Sequence, residues 1–390
     1  MALGILLVLA LGGGTTAVLV DRANEQRAAQ ELAERQAREA REAQELADAV
    51  TAYDTAVADL DERITSLGTL ATDVETAVAT AGEDTGTAVA LLDAAAPDVV
   101  PAAERTALDT ARADLVATLE GWQAPPAPPE IPAERPTTTP EILEATEALE
   151  AQTATADTTL SDTQKALDAL ETQRAGLTGA AEALLATVPG TSQFYLDTHP
   201  VATNASRSTM QLAADGVLAS WSTSSSAELA TFTAAAQGVA TSQTDQEWLL
   251  AHPVHPARPE IEAFARSLSG GVPIDISWAP EVNGAGPNGN SGGLATWTTA
   301  QYGYSTIQLS DNVAELWPDA GIQALVVHET GHAITSKCYD LYAAPPFNSD
   351  DEMFATAWAI SMGYDDGNGS GEWLYGRPSD EQIAAAAGCR

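Results

Sequence analysis

The residues that could carry chemistry sit close together. Within the apolar stretch Gly321–Ser336, GIQALVVHETGHAITS, stands His328-Glu329-Thr330-Gly331-His332. On a helix, residues four apart share a face, so both imidazoles can meet at one metal ion. Glu329 then lies beside the metal and can take a proton from an attacking water. Two histidines and a glutamate in the middle of a buried helix would be costly without a partner, and a metal provides one.

The third ligand must come from a neighbouring element. Asn348-Ser349-Asp350-Asp351-Glu352 opens a second apolar helix, MFATAWAISMG, and Glu352 follows His332 by 20 residues. Ser349-x-x-Glu352 also has the form of a capping box, in which the glutamate would only bond the helix start. The spacing favours Glu352 as ligand, with Asp351 as the substitute.

This two-part pattern, over about Leu309–Met362, resembles the zincin metallopeptidases in their gluzincin arrangement, in which a glutamate on the next helix follows the second histidine at this distance. The resemblance implies Zn²⁺ held by His328, His332 and Glu352, with Glu329 as general base for peptide-bond hydrolysis. It also implies a tyrosine or histidine donor for the oxyanion; Tyr342, ten residues past His332, stands near the expected place, with Tyr339 and Tyr364 as alternatives. An aspartate commonly follows the ligand glutamate by four residues and supports a histidine; here that position is Thr356. His199, His252 and His255 read as structural or surface residues.

Around this segment, Gly271–Trp278, Gly293–Thr298 and Tyr304–Ser310 read as short strands, with Asn283–Gly293 as a loop. The strand Tyr304–Ser310 is expected to be the edge that aligns an extended substrate. Cys338 and Cys389, the only cysteines, flank the segment. A disulfide between them would close a loop of about 50 residues and place the domain in an oxidising compartment.

The first half has another texture. Of 21 Phe, Trp and Tyr residues, only Tyr53 and Trp122 precede residue 189, so a broad core cannot form there. From Leu46 the apolar positions step by four and three through Val50, Tyr53, Val57, Leu60, Ile64, Leu67, Ala71, Val74, Val78 and Ala81, the seam of a coiled coil; it extends back more weakly through Leu32 and Ala29. A second series runs from Leu149 to Val188, a shorter helix spans Ala102–Gly121, and the proline-rich 123–140 cannot be helical.

Ala2–Val20 is uncharged and would span about 28 Å as a helix, the length of a membrane anchor or a signal peptide. Arg22, Arg27, Arg35, Arg38 and Arg41 after it argue for a cytoplasmic body, but the cysteine pair and the family resemblance argue for the outside. The net charge of −38 disfavours nucleic acid.

The expected fold is therefore α+β: residues 1–20 a membrane helix, 21–188 a helical coiled-coil stalk broken at 123–140, and 189–390 a zincin-like domain with a small sheet and active-site helices. The expected function is that of a single-pass, membrane-anchored zinc metallopeptidase acting extracellularly on peptides or proteins, with possible self-association through the coiled coil. The rival is a non-catalytic cell-surface protein whose metal is structural or binds a partner.

Overall fold

The computed structural model describes residues 12–286 and 289–390. Most of the expected anchor, residues 2–20, lies outside the described residues; among those described, no helix is long and apolar enough to cross a membrane. The fold is α+β, dominated by helices, with one three-stranded sheet.

Three helices follow the apolar series: α1 (Gly12–Ala94), α2 (Ala102–Gly121) and α3 (Thr139–Leu185). The chain divides into two compact units, and the division falls inside these helices. The first unit comprises residues 1–82 and 116–173. There Ala49, Tyr53, Ala56 and Leu60 of α1 bury against Ile142 and Leu149 of α3, with Ile131 of the proline-rich segment packed beside them. Arg63–Asp157 at 2.7 Å and Arg135–Asp54 at 3.0 Å fix the register. The packed seam starts at Ala49. Residues 21–48 are exposed on every side, Leu32 and Leu46 included, so the weaker upstream seam has no partner among the described residues.

The second unit comprises residues 83–115 and 174–390. It contains the ends of α1 and α3 together with α4 (Val188–Thr198), α5 (Asn204–Gly216), α6 (Ser225–Ala251) and α7 (Arg258–Leu268). Arg174 meets Asp84 at 2.9 Å, and Thr233 of α6 donates to the Ala94 carbonyl. These four helices were not among the expected elements; α6, whose apolar residues show no helical periodicity, still buries Leu229, Phe232, Ala236 and Val239.

The sheet is made of β1 (Ile274–Ala279), β2 (Gly293–Thr296) and β3 (Ser305–Ser310), in the order β1-β3-β2. β3 pairs parallel with β1 and antiparallel with β2. This corrects the expectation for Tyr304–Ser310. That strand is central, with both edges occupied, and its buried Ile307 and Leu309 make it core. The short antiparallel β2 is an edge strand, and its Gly293 lies against Glu329 of the helix Ala320–Ala333.

After α8 (Asp311–Leu316), the motif helix α9 (Ala320–Ala333) tightens into a 3₁₀ turn at Ile334–Ser336. It is apolar all round because two cores claim it. Val326 and Ala333 pack with Ile274, Ile307 and Leu309 of the sheet. Val327 and Ile334 pack with Phe354 and Trp358 of α11 (Asp351–Ser361), which follows the short α10 (Tyr339–Ala343). Short helices α12 (Glu372–Tyr375) and α13 (Asp380–Ala386) complete the chain. Cys338 and Cys389 form the expected disulfide, with Cα atoms 6.0 Å apart.

Candidate metal centre

Helices α9 and α11 can meet closely because Gly331 carries no side chain. A Cβ there would stand 3.0 Å from Ala355 Cα and 3.1 Å from its carbonyl oxygen. The approach brings the start of α11 over the two histidines. Asp350, not Ser349, caps α11, its side chain accepting from the Met353 amide at 3.1 Å. No capping box forms, and Glu352 is free to turn inward.

It does so. Glu352 Oε2 is 3.2 Å from His328 Nε2 and 3.2 Å from His332 Nε2, and the two nitrogens are 3.1 Å apart. Three ligand atoms on a tetrahedral zinc at about 2.0–2.1 Å would stand roughly 3.3 Å apart, so the triangle fits such an ion. Its chemistry points the same way. His328 Nδ1 lies 2.9 Å from the Ser370 carbonyl oxygen, which can only accept, so the ring proton belongs there and Nε2 presents its lone pair inward. Two imidazole nitrogens and a carboxylate oxygen converging at this distance can be joined by a shared proton or by a metal ion. His328, His332 and Glu352 are thus a group that could hold a metal ion.

Supporting contacts complete the arrangement. Asp351 Oδ2 lies 3.1 Å from His332 Nδ1, within ion-pair range but without hydrogen-bond alignment. Asp351 therefore stands behind a histidine instead of replacing Glu352 as ligand. Behind His328 stands the Ser370 carbonyl, while Thr356 Oγ1 lies at 3.5 Å. Gly371, with φ +91°, follows Ser370; a Cβ there would come within 2.9 Å of the His328 ring.

The loop that carries Ser370 is tied down at both ends. Asp366 Oδ1 accepts from the amides of Asn368 and Gly369 at 3.1 Å each. Arg377 binds Asp365 through both terminal nitrogens at 2.9 Å and Glu372 at 2.7 Å. This loop also delivers Tyr375, whose ring stacks on His328 with centroids 5.9 Å apart and planes 3° from parallel.

Burial separates the roles. His328, Glu329 and His332 are buried, whereas the Glu352 side chain keeps 40% of its surface, so the centre is reached from that side. Burial raises the Glu329 carboxyl, with the two histidines opposing. Its carboxylate is pressed against the backbone of β2, where a Cβ on Gly293 would fall 2.4 Å from Cγ and Oε1. Burial resists charge on His332, but Asp351, Glu352 and Glu329 outweigh it and raise the ring to about 10. Partial burial would likewise raise Glu352, yet the two histidines hold it far below the carboxylate range. Burial and the nearby Glu352 charge push the Tyr375 phenol up to about 12, leaving it a donor at neutral pH.

The tyrosines suggested by the resemblance take part in aromatic packing. Tyr342 donates its hydroxyl to the Ser349 carbonyl at 3.0 Å and packs against Trp297 and Phe354. Tyr339 joins the same aromatic group, and Tyr364 packs on Phe264. His199 stacks on Tyr195, His252 stacks on Trp248, and His255 accepts from the Ala257 amide, all away from the triad. Tyr375 and Ser370 escaped the sequence reading. Ser370 acts through its carbonyl, which no side-chain pattern reports, and Tyr375 lies beyond a glycine loop that blurs any spacing. Comparison of the chain with protein-family models, curated proteins and solved structures returned no match.

Proposed function

We propose that the protein is a zinc-dependent metallopeptidase. The observation that carries this reading is the triangle of His328 Nε2, His332 Nε2 and Glu352 Oε2, with the buried, non-ligating Glu329 beside it. Among the described residues the group counts three ligand side chains. Three is the number typical of catalytic zinc, whereas structural sites close with four. A structural site also has no use for a buried carboxylate that is not a ligand.

Zinc, when bound, polarises a carbonyl and acidifies water. The chain's own residues do the rest. Glu329, whose carboxyl burial raises against the opposing pull of the two histidines, accepts the proton of the attacking water and returns it to the leaving amine. Tyr375 donates a hydrogen bond to the oxyanion that develops on the scissile carbonyl. Beyond the Gly293 carbonyl, which already accepts from Asn283, the outer edge of β2 offers backbone groups to an extended substrate, with Gly293 next to Glu329. Ser370 and Asp351 keep the imidazoles oriented. The disulfide supports action outside the cytoplasm, and the uncharged 2–20 segment supports attachment to the membrane.

Two isosteric changes test the roles. Glu329→Gln should retain about one zinc per chain yet lose hydrolysis by roughly 10²–10⁴-fold. Glu352→Gln should lose zinc and activity together, since it removes a charged ligand. Full activity in Glu329→Gln would end the assignment. A parent chain that holds zinc and cleaves no peptide in a broad screen would make the non-catalytic surface protein the better account.

A further inference from the structure

We infer that the protein selects peptides carrying an aromatic or large aliphatic side chain about three to four residues before the bond it cuts. This rests on the peptidase reading above. Among the described residues no strand pairs with the outer edge of β2, where the Gly293 carbonyl accepts from Asn283 Nδ2 at 2.9 Å and the next outward backbone groups are those of Ala295; the Gly293 end lies against Glu329. The other end leads straight into Trp297. That indole meets Tyr342 edge-on at 5.5 Å and Tyr339 at 5.9 Å between ring centroids. Tyr342 is fixed by its hydrogen bond to the Ser349 carbonyl, and behind it stand the buried Phe354 and Phe347. The group is a rigid aromatic surface, and Tyr339 keeps 46% of its surface exposed. In a chain of net charge −38, a fixed aromatic face continuous with the strand beside the general base fits an apolar side chain.

The register follows from strand geometry. From Gly293 to Trp297 is four residues, roughly 13 Å of extended chain. Antiparallel pairing is the more stable choice for an added strand. A peptide so paired with β2 places its N-terminal side toward Trp297. The residue that reaches the aromatic group therefore precedes the scissile bond, and alternation along the strand directs every second side chain to one face.

A walking phenylalanine tests this. Decapeptides of alanine, serine and glycine, each with one phenylalanine at a successive position, are incubated with the zinc-loaded full chain and the products read by mass spectrometry. The cut is expected to move with the phenylalanine, staying three to four residues beyond it, with about tenfold higher kcat/KM than for the host peptide. In Tyr339→Ser, at an exposed position, that ratio should fall to about twofold. A second readout uses Glu329→Gln and fluorescein-labelled peptides: anisotropy should show the phenylalanine peptide binding about tenfold more tightly than its serine counterpart. Cuts whose position ignores the phenylalanine overturn the subsite while the peptidase stands. Selective binding with no cleavage by the parent keeps the subsite and ends the peptidase reading. Equal binding of both peptides overturns the subsite, and neither binding nor cleavage ends both.

Discussion

Gly293→Ala isolates the placement of Glu329, the proposed general base. The added Cβ would lie 2.4 Å from Glu329 Cγ and Oε1 and 2.5 Å from Cδ, where ordinary contact begins near 3.4 Å. The carboxylate must therefore move by about 1 Å, because its neighbour on the other side is the fixed strand backbone; a displacement of that size typically costs on the order of 10²-fold in rate. Glu329 is a rotatable side chain, so the clash is relieved by turning it away and the fold survives. The metal triad does not include Glu329, so zinc content should stay at the parent level. Circular dichroism, zinc per chain and kcat/KM on one peptide substrate form the assay. Hydrolysis within about threefold of the parent, with the fold intact, would refute the role given to Glu329 and to the approach of β2.

Two further outcomes follow from the surroundings of the site. Arg377→Ala frees the loop that brings the Ser370 carbonyl to His328, so zinc affinity should fall by about tenfold with the ligands untouched, as read by competition with a chromogenic chelator; unchanged affinity would mean that the loop holds itself. Replacing Cys338 and Cys389 together with alanine reopens a loop of 51 residues and should lower unfolding stability by about 2–4 kcal/mol in urea titrations, whereas an unchanged midpoint would show that α13 is held by packing alone.

The sequence made the metal triad legible because each signal was local. His328 and His332 are fixed by helical periodicity, and Glu352 by the short distance to the next helix. The long helices were legible for the same reason, with α2 found at Ala102–Gly121 and the three strands close to their expected places. What depended on pairing was not legible. Tyr304–Ser310 has the same composition whether central or at an edge; only the antiparallel return of β2 makes it central. Likewise, nothing in Leu32 or Leu46 shows that the coiled-coil partner begins opposite Ala49. Thr356 looked like a missing support for a histidine. The fold supplied that support from a backbone carbonyl 42 residues from His328, through positive-φ glycine geometry that spacing rules do not encode.

The disulfide also changes how far apart the parts of the centre are along the covalent structure. Tyr375 is 43 residues from His332 along the chain, but only 14 residues from Cys389, which is bonded to Cys338, six residues past His332. An oxidised chain that has lost its tertiary packing still keeps Tyr375, Arg377 and Ser370 on a short tether to the histidine helix. Their effective concentration around His328 and His332 stays high, so the ring favours reassembly of the whole centre over pairing of the histidines with stray carboxylates of this very acidic chain. A backbone cut between α10 and α11 would likewise leave both halves of the centre in one molecule, separable only by a reductant.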